Sequence, residues 1–210
     1  DVLARAIYGI RISLIFGLIL SFFSATIGIF FGAIQGYFGG LLDLLFQRFM
    51  EIWSSMPMLF LLIILSSIIE PGFFSLLFLM LLFSWMAMVG FVRAEFLRLR
   101  NFDFVRSAKA LGGGDYYIIF RHILPNASPI ILANLPFLIA GSITTLTALD
   151  FLGLGMPAGS PSLGELLAQG KNNITAYWIG LAGFFIITII LTLLVFIGEA
   201  LRNTFDSRSG

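Results

Sequence analysis

The chain has 210 residues, of which 59% are hydrophobic and only 11% charged, with 12 basic and 11 acidic side chains. A soluble domain carries roughly 25% charge, so this composition excludes a soluble globular domain and a disordered tail. The lack of cysteine excludes a disulfide framework, a thiolate metal site and a cysteine nucleophile, and a net charge of +1 offers no reason to expect nucleic acid as a partner.

Charge is missing from residues 12–42, 52–69, 71–92, 123–149 and 172–198. A spanning helix needs about 20 mostly apolar residues, whereas a barrel strand needs about 10 in strict alternation. None of these runs alternates. The reading is an all-α membrane protein with five transmembrane helices, near 9–36, 46–69, 74–97, 125–150 and 176–200. In the first, Ser24, Gly28, Gly32 and Gly36 recur every four residues, a spacing that lets another helix backbone approach closely. The second begins in a charged stretch (Asp43, Arg48, Glu51), expected to be wet or covered by protein. Pro57 and Pro136 each free a backbone carbonyl and can kink a helix. The third is expected to run past the bilayer to Arg100. Trp53, Tyr177 and Trp178 read as interface anchors and Trp85, in mid-span, as packing.

Basic residues set the orientation. One side holds Arg48, Arg93, Arg98, Arg100, Arg106, Lys109, Arg121, Arg202 and Arg208; the other holds Arg5, Arg11 and Lys171. The first set is assigned to the cytoplasm, which places the N-terminus outside and the C-terminus inside. A chain that starts outside, on Asp1 rather than Met, is expected to be a fragment lacking at least one N-terminal span.

The segment between spans three and four is the least lipid-like. Residues 93–122 carry six of the twelve basic side chains together with Glu95, Asp103 and Asp115. Asn101 or Asp103 can cap a short helix there. On that helix Phe104, Val105, Ala108 and Leu111 share one face, while Arg106 and Lys109 fall elsewhere. Gly112-Gly113-Gly114 ends the helix, since glycine accepts the left-handed conformation that closes a C-terminus. A second short piece, Asp115 to His122, leads to Leu124-Pro125-Asn126 at the start of span four. Two readings stand: a basic loop lying on anionic headgroups, or a docking element that presents a packed helix to a partner.

Here the residues carry a resemblance. Arg106-Ser107-Ala108, three residues, Gly112, nine residues, His122, one residue and Leu124-Pro125 resemble the signature loop of bacterial ABC-importer permeases, which reads Glu-Ala-Ala, Gly, Ile and Leu-Pro at that spacing. Arg106, Ser107 and His122 depart from it. Leu3 to Ser13, Gly36-Tyr37-Phe38-Gly39-Gly40, Phe151-Leu152-Gly153-Leu154-Gly155, Pro161-Ser162-Leu163-Gly164 and Gly198 to Arg202 resemble the dipeptide and oligopeptide branch. Thr144 to Phe151 and Ser160 to Asn173 look nearest to permeases that take up microcin C and peptides.

The resemblance implies one permease domain over 1–210 with a type I ABC importer core, a cytoplasmic coupling loop at 98–122 and an outer loop at 152–175. It implies a role in docking and coupling for Phe104, Val105, Arg106, Ser107, Ala108, Lys109, Leu111, Gly112, Leu124 and Pro125. It also implies a bacterial inner-membrane location and inward movement of peptides by alternating access. The implied partners are a homologous second permease in a heterodimer, an ABC ATPase of two subunits or one fused chain, an extracytoplasmic peptide-binding protein and membrane lipid. No cofactor is expected on this chain, because ATP and Mg would act on the ATPase.

Asp150 is the one acid at the outer end of an otherwise uncharged span, and acids at membrane depth are functional candidates. Thr147 lies one turn before it and Thr144 another turn below. This stripe either faces the transport path or the partner subunit, or ends a helix in the aqueous rim with its acid bonded to nearby backbone. In the 152–175 loop, Ser162 can cap a helix over 162–169, with Glu165 three residues later.

Enzyme readings fail on the residues. The glycines before Lys171 are one residue too far apart for a phosphate loop, and Asn172 stands where Ser or Thr is needed. His122, the single histidine, lies in the basic loop with no serine motif beside it. The alternative to a permease is a self-contained secondary transporter or channel. Such a carrier usually shows buried coupling ions and an inverted repeat.

Overall fold

In lipid a backbone is satisfied only within helices or closed barrels, and long apolar runs without alternation take the first form here. The computed structural model describes residues 2–66, 68, 70, 72–157 and 159–206. Arg208, and positions 67, 69 and 158 of the expected second span and outer loop, lie outside them. Among the described residues the order is α1 (Val2–Phe38), α2 (Gly40–Ser54), α3 (Met58–Ser66), α4 (Phe73–Leu99), α5 (Asp103–Ala110), α6 (Asp115–Ile118), a π turn (Ile119–Ile123), α7 (Leu124–Phe151), α8 (Leu163–Asn172), a 3₁₀ turn (Ile174–Ala176) and α9 (Tyr177–Asp206), with no strand.

Among the described residues, four helical stretches are long and apolar enough to cross a membrane, and α2 with α3 makes a fifth if that pair counts as one span. The pair departs from the straight helix expected at 46–69: it bends by 65°. The cause is local. Pro57 offers no N–H to continue α2, and its carbonyl instead accepts from Phe60 at 3.0 Å to open α3. Ser55 Oγ donates to the Ile52 carbonyl at 2.7 Å, satisfying a group that the break leaves without a helical partner. Helix α1 is already formed at residue 2 rather than 9, so Arg5 and Arg11 lie within it.

The chain forms two compact units, one of residues 1–22, 57–83 and 136–197, the other of 23–56, 84–135 and 198–210. In the first, Phe16, Leu20, Leu62, Leu76, Leu79, Met80, Leu146 and Leu149 form a buried cluster. Phe73 meets Phe16 edge-on at 5.3 Å, and the Ser21 and Ser142 hydroxyls share a hydrogen bond of 3.2 Å.

In the second unit, α1 and α4 run in parallel with partners sixty positions apart. Ser24 hydrogen-bonds Ser84 at 2.5 Å. A Cβ placed on Gly28 would meet Met88 Cβ at 2.6 Å, one on Gly32 would meet Val92 Cβ at 2.7 Å, and one on Gly36 would meet Phe96 Cβ at 2.5 Å. The four-residue repeat of small residues is therefore a helix-packing seam inside this chain. The charged start of α2 divides. Asp43 is buried and accepts both Nε and Nη2 of Arg93, at 2.5 and 2.6 Å, whereas Arg48 and Glu51 pair in the open. An acid and a base that each border an uncharged run thus neutralise one another in a bidentate pair.

Candidate functional site

The basic segment belongs to the second unit and is built on α5. Its N-cap is Phe102, in extended conformation and with no side-chain cap. This corrects the expectation of an Asn101 or Asp103 cap. Asn101 Nδ2 instead donates to the Leu97 carbonyl at 3.0 Å, serving the end of α4, and Asp103 occupies the first helical turn, where the helix dipole favours a carboxylate.

The C-terminus closes as a Schellman turn. Gly112 sits at φ +83, its N–H donates to the Lys109 carbonyl at 2.9 Å, and the Gly113 N–H donates to the Ala108 carbonyl at 3.0 Å. The apolar face divides between the chain and its surroundings. Val105 is 2% exposed and Phe104 and Ala108 are half-buried, so the chain itself covers that side. Leu111 is 88% exposed, and Arg106, Ser107 and Lys109 also face outward. Leu124 is half-buried and Pro125 exposed.

The expected second piece, 115–122, is not separated from span four. Helix α6 passes through the π turn into α7, so 115–151 is one apolar helical stretch. Pro125 lacks the N–H that would bond four residues back, and the wider turn just before it accommodates the misfit. Asn126 Nδ2 donates to the His122 carbonyl at 2.6 Å. Tyr116 and Phe120 meet at a tilt of 39° with ring centroids 4.5 Å apart on the exposed side of this turn, an outward aromatic pair that sequence reasoning missed.

Three groups tie the segment to the end of α1. Tyr37 is 7% exposed, and its Oη donates to Asp115 Oδ1 at 2.5 Å. Lys109 Nζ lies 5.2 Å over the Tyr37 ring. Arg100 Nη1 donates to the carbonyls of Tyr37 at 3.2 Å and Gly36 at 3.4 Å. The signal available in the sequence was a tyrosine held between glycines, Gly36 to Gly40, with a carboxylate available after the glycine cluster.

The Thr144, Thr147 and Asp150 stripe belongs to the first unit. Thr144 and Thr147 line a groove of about 290 Å³ with Ala148, Phe151, Leu167 and Ile187. Thr144 Oγ1 donates to the Ala140 carbonyl at 2.8 Å. Thr147 Oγ1 is buried and, among the described residues, has no hydrogen-bond partner.

Asp150 does not line the groove; Phe151 continues the row instead. Asp150 is 4% exposed, and its Oδ1 accepts the Met156 N–H at 2.7 Å. Its Oδ2 has no hydrogen-bond partner among the described residues. Helix α8 packs on the same turn so closely that a Cβ on Gly164 would overlap the Thr147 carbonyl and Asp150 Cβ. Ser162 caps α8, its Oγ accepting the Glu165 N–H at 3.1 Å, while Glu165 Oε1 accepts from Gln169 at 2.9 Å. The helix extends to Asn172, three residues past its expected end. Among the described residues, no group of three or more His, Asp or Glu could hold a metal.

Residues 28–209 match the family described as binding-protein-dependent transport system inner membrane component. The chain belongs to this family. It is 64% identical over 208 residues to the peptidoglycan transport system permease protein YejE of Agrobacterium fabrum, covering 99% of this chain and 55% of that protein. It is 59% identical over 206 residues to the inner membrane ABC transporter permease protein YejE of Escherichia coli, covering 98% and 60%. The oligopeptide transport system permease protein OppC of Lactococcus lactis subsp. lactis is 36% identical over 79% of this chain and 58% of its own length. The chain therefore spans little more than half the length of these relatives. A chain of the MetNI methionine ABC transporter superposes with a TM-score of 0.79 at 15% identity, over 96% of both chains, which shows a shared type I importer permease fold. Membership in this family places the multi-pass chain in the inner membrane.

Proposed function

We propose that this chain is the membrane-spanning core of a permease subunit in an ATP-driven importer, with α5 as its coupling helix. The observation that carries the reading is the docked half and open half of α5. Val105 anchors it to the chain while Leu111, Arg106 and Ser107 remain outside. A helix fixed on one side and open on the other can receive a displacement from a partner and pass it on. A headgroup tether needs only the charge.

Under this reading the 98–122 segment and the C-terminus are cytoplasmic, and a separate ABC ATPase hydrolyses ATP with Mg. A homologous second permease completes the path, and an extracytoplasmic binding protein delivers cargo to the 152–175 side. The cargo is a peptide. The names of the YejE and OppC relatives point to peptidoglycan-derived peptides and oligopeptides, and the resemblance in 144–173 adds microcin C. Thr144 and Thr147, on the 290 Å³ groove, are the path-lining candidates.

The test is reconstitution of the full-length permease with its ATPase and binding protein. Gly112→Val forces a branched side chain into φ +83 and should leave the complex assembled while uptake per ATP falls about tenfold. Unchanged uptake and assembly in that variant would remove α5 as the coupling element. A panel of oligopeptides, peptidoglycan-derived peptides and a peptide–nucleotide antibiotic, competed for uptake in a deletion strain, assigns the cargo. Transport by the chain alone under an ion gradient would instead establish a secondary carrier.

A further inference from the structure

We infer that Tyr37 is a positioning residue that joins the end of α1 to the α5–α6 segment, so that displacement of that segment reaches α1 directly as well as through the chain. The inference rests on the permease reading for what moves the segment; the contact itself does not.

Connectivity alone joins the segment to α4 on one side and, through the π turn, to α7 on the other. Helix α1 lies far away in sequence, and the Tyr37–Asp115 bond bridges 78 positions. Its geometry suits a strut. The ring is buried, so its rotamer is held, and the phenol oxygen is the only polar atom of that side chain. The acceptor is a carboxylate, which makes the bond charge-assisted and about twice as strong as a neutral one. It lies on the first residue of α6, immediately after the Gly112–Gly114 break. The bond thus grips the segment just past its most pliable point.

Lys109 over the same ring adds a second contact from α5, and Arg100 fixes the backbone of Gly36 and Tyr37 from the end of α4. The groups that face Tyr37 from these elements are therefore one carboxylate and two cations. They converge on a single residue, and the ring and hydroxyl serve different partners. Helix α1 is in turn bound along the Gly28, Gly32 and Gly36 seam to α4. A pull on Tyr37 cannot be absorbed by sliding between those two helices, because Cβ atoms of Met88, Val92 and Phe96 fill the approach.

Tyr37→Phe tests the inference because it deletes the hydroxyl and keeps the ring for Lys109. In the full-length reconstituted complex we expect assembly and basal ATPase rate to match the wild type. Uptake per ATP hydrolysed should fall about tenfold, the equilibrium weight of one charge-assisted hydrogen bond. Amide exchange at Ile118 and Ile119, whose N–H groups donate to the carbonyls of Gly114 and Asp115, should quicken by a similar factor. Asp115→Ala, at an exposed position, removes the acceptor and should reproduce both effects, and the double variant should add little, because both changes remove one contact. If Tyr37→Phe does not assemble, Asp115→Ala carries the same measurement. Faster exchange with an unchanged uptake-to-ATP ratio overturns the positioning role, as does full additivity in the double variant. If the wild-type complex shows no ATP-driven uptake, the permease reading fails and takes the coupling role with it; the exchange measurement then still decides whether Tyr37 holds the segment.

Discussion

Helices α5 and α7 end on the same hydrogen-bond pattern and use it differently. At Gly112 the two closing bonds run to Lys109 and Ala108; at Gly153, with φ +74, they run from Gly153 to Asp150 at 3.0 Å and from Leu154 to Leu149 at 2.9 Å. The residues after each glycine decide the outcome. After Gly153 comes Leu154, which packs against the cluster containing Leu149. The chain then returns to the helix end: the Met156 N–H bonds Asp150, and α8 presses Gly164 on the turn at Thr147. After Gly112 come Gly113 and Gly114, which have no side chain to tuck in, and Leu111 stays in the open. One end is sealed from within, whereas the other stays open, with Leu111 88% exposed. A helix cap thus reveals little about function until the burial of its neighbours is known.

The largest effect should come from breaking the sealed end. Gly164→Leu places atoms where the Thr147 carbonyl and Asp150 lie, so α8 must move off α7. The expected loss is about 3 kcal/mol, read as a lower unfolding midpoint of the purified complex. A midpoint equal to wild type would show that the 152–172 stretch is not packed as described. Asp150→Ala is next. It removes the acceptor of the Met156 N–H and should cost about 2 kcal/mol in the same melt.

Asp150→Asn keeps an acceptor oxygen and should cost less than about 1 kcal/mol, which separates two roles for this acid. If Asp150→Asn melts like wild type but transports no tested peptide, the carboxylate acts in the path. If uptake also persists, its work is confined to the helix end. The smallest stability effect belongs to the open end. Leu111→Ser should leave the melt within about 0.5 kcal/mol while weakening co-purification with the ATPase, since the side chain touches little of its own protein. A destabilised Leu111→Ser protein would erase the contrast between the two ends.

Much of this was legible in one dimension. The uncharged runs pointed to the spans, because long runs without alternation satisfy their backbone in hydrocarbon as helices and not as barrel strands. Gly112 and Ser162 announced their roles, since a left-handed cap and an N-cap hydroxyl are local chemistry. The break at Pro57 was legible as a possible kink, because the missing N–H is local chemistry. The stripe 144–150 was legible as a helical face, and its division into a groove and a sealed end was not. That division depends on residues 153–164 folding back over the last turn.

Interactions within a few residues or with the surrounding solvent set the all-helical membrane character, the uncharged stretches, the basic segment and the closing glycines, and these were readable along the chain. Tertiary structure alone decided that Asp43 meets Arg93, that the Gly28–Gly36 seam receives α4, that Val105 turns inward while Leu111 stays out, and that Tyr37 reaches Asp115. Each joins groups up to 78 positions apart. No local pattern encodes such a meeting, because it depends on where the intervening helices direct the chain.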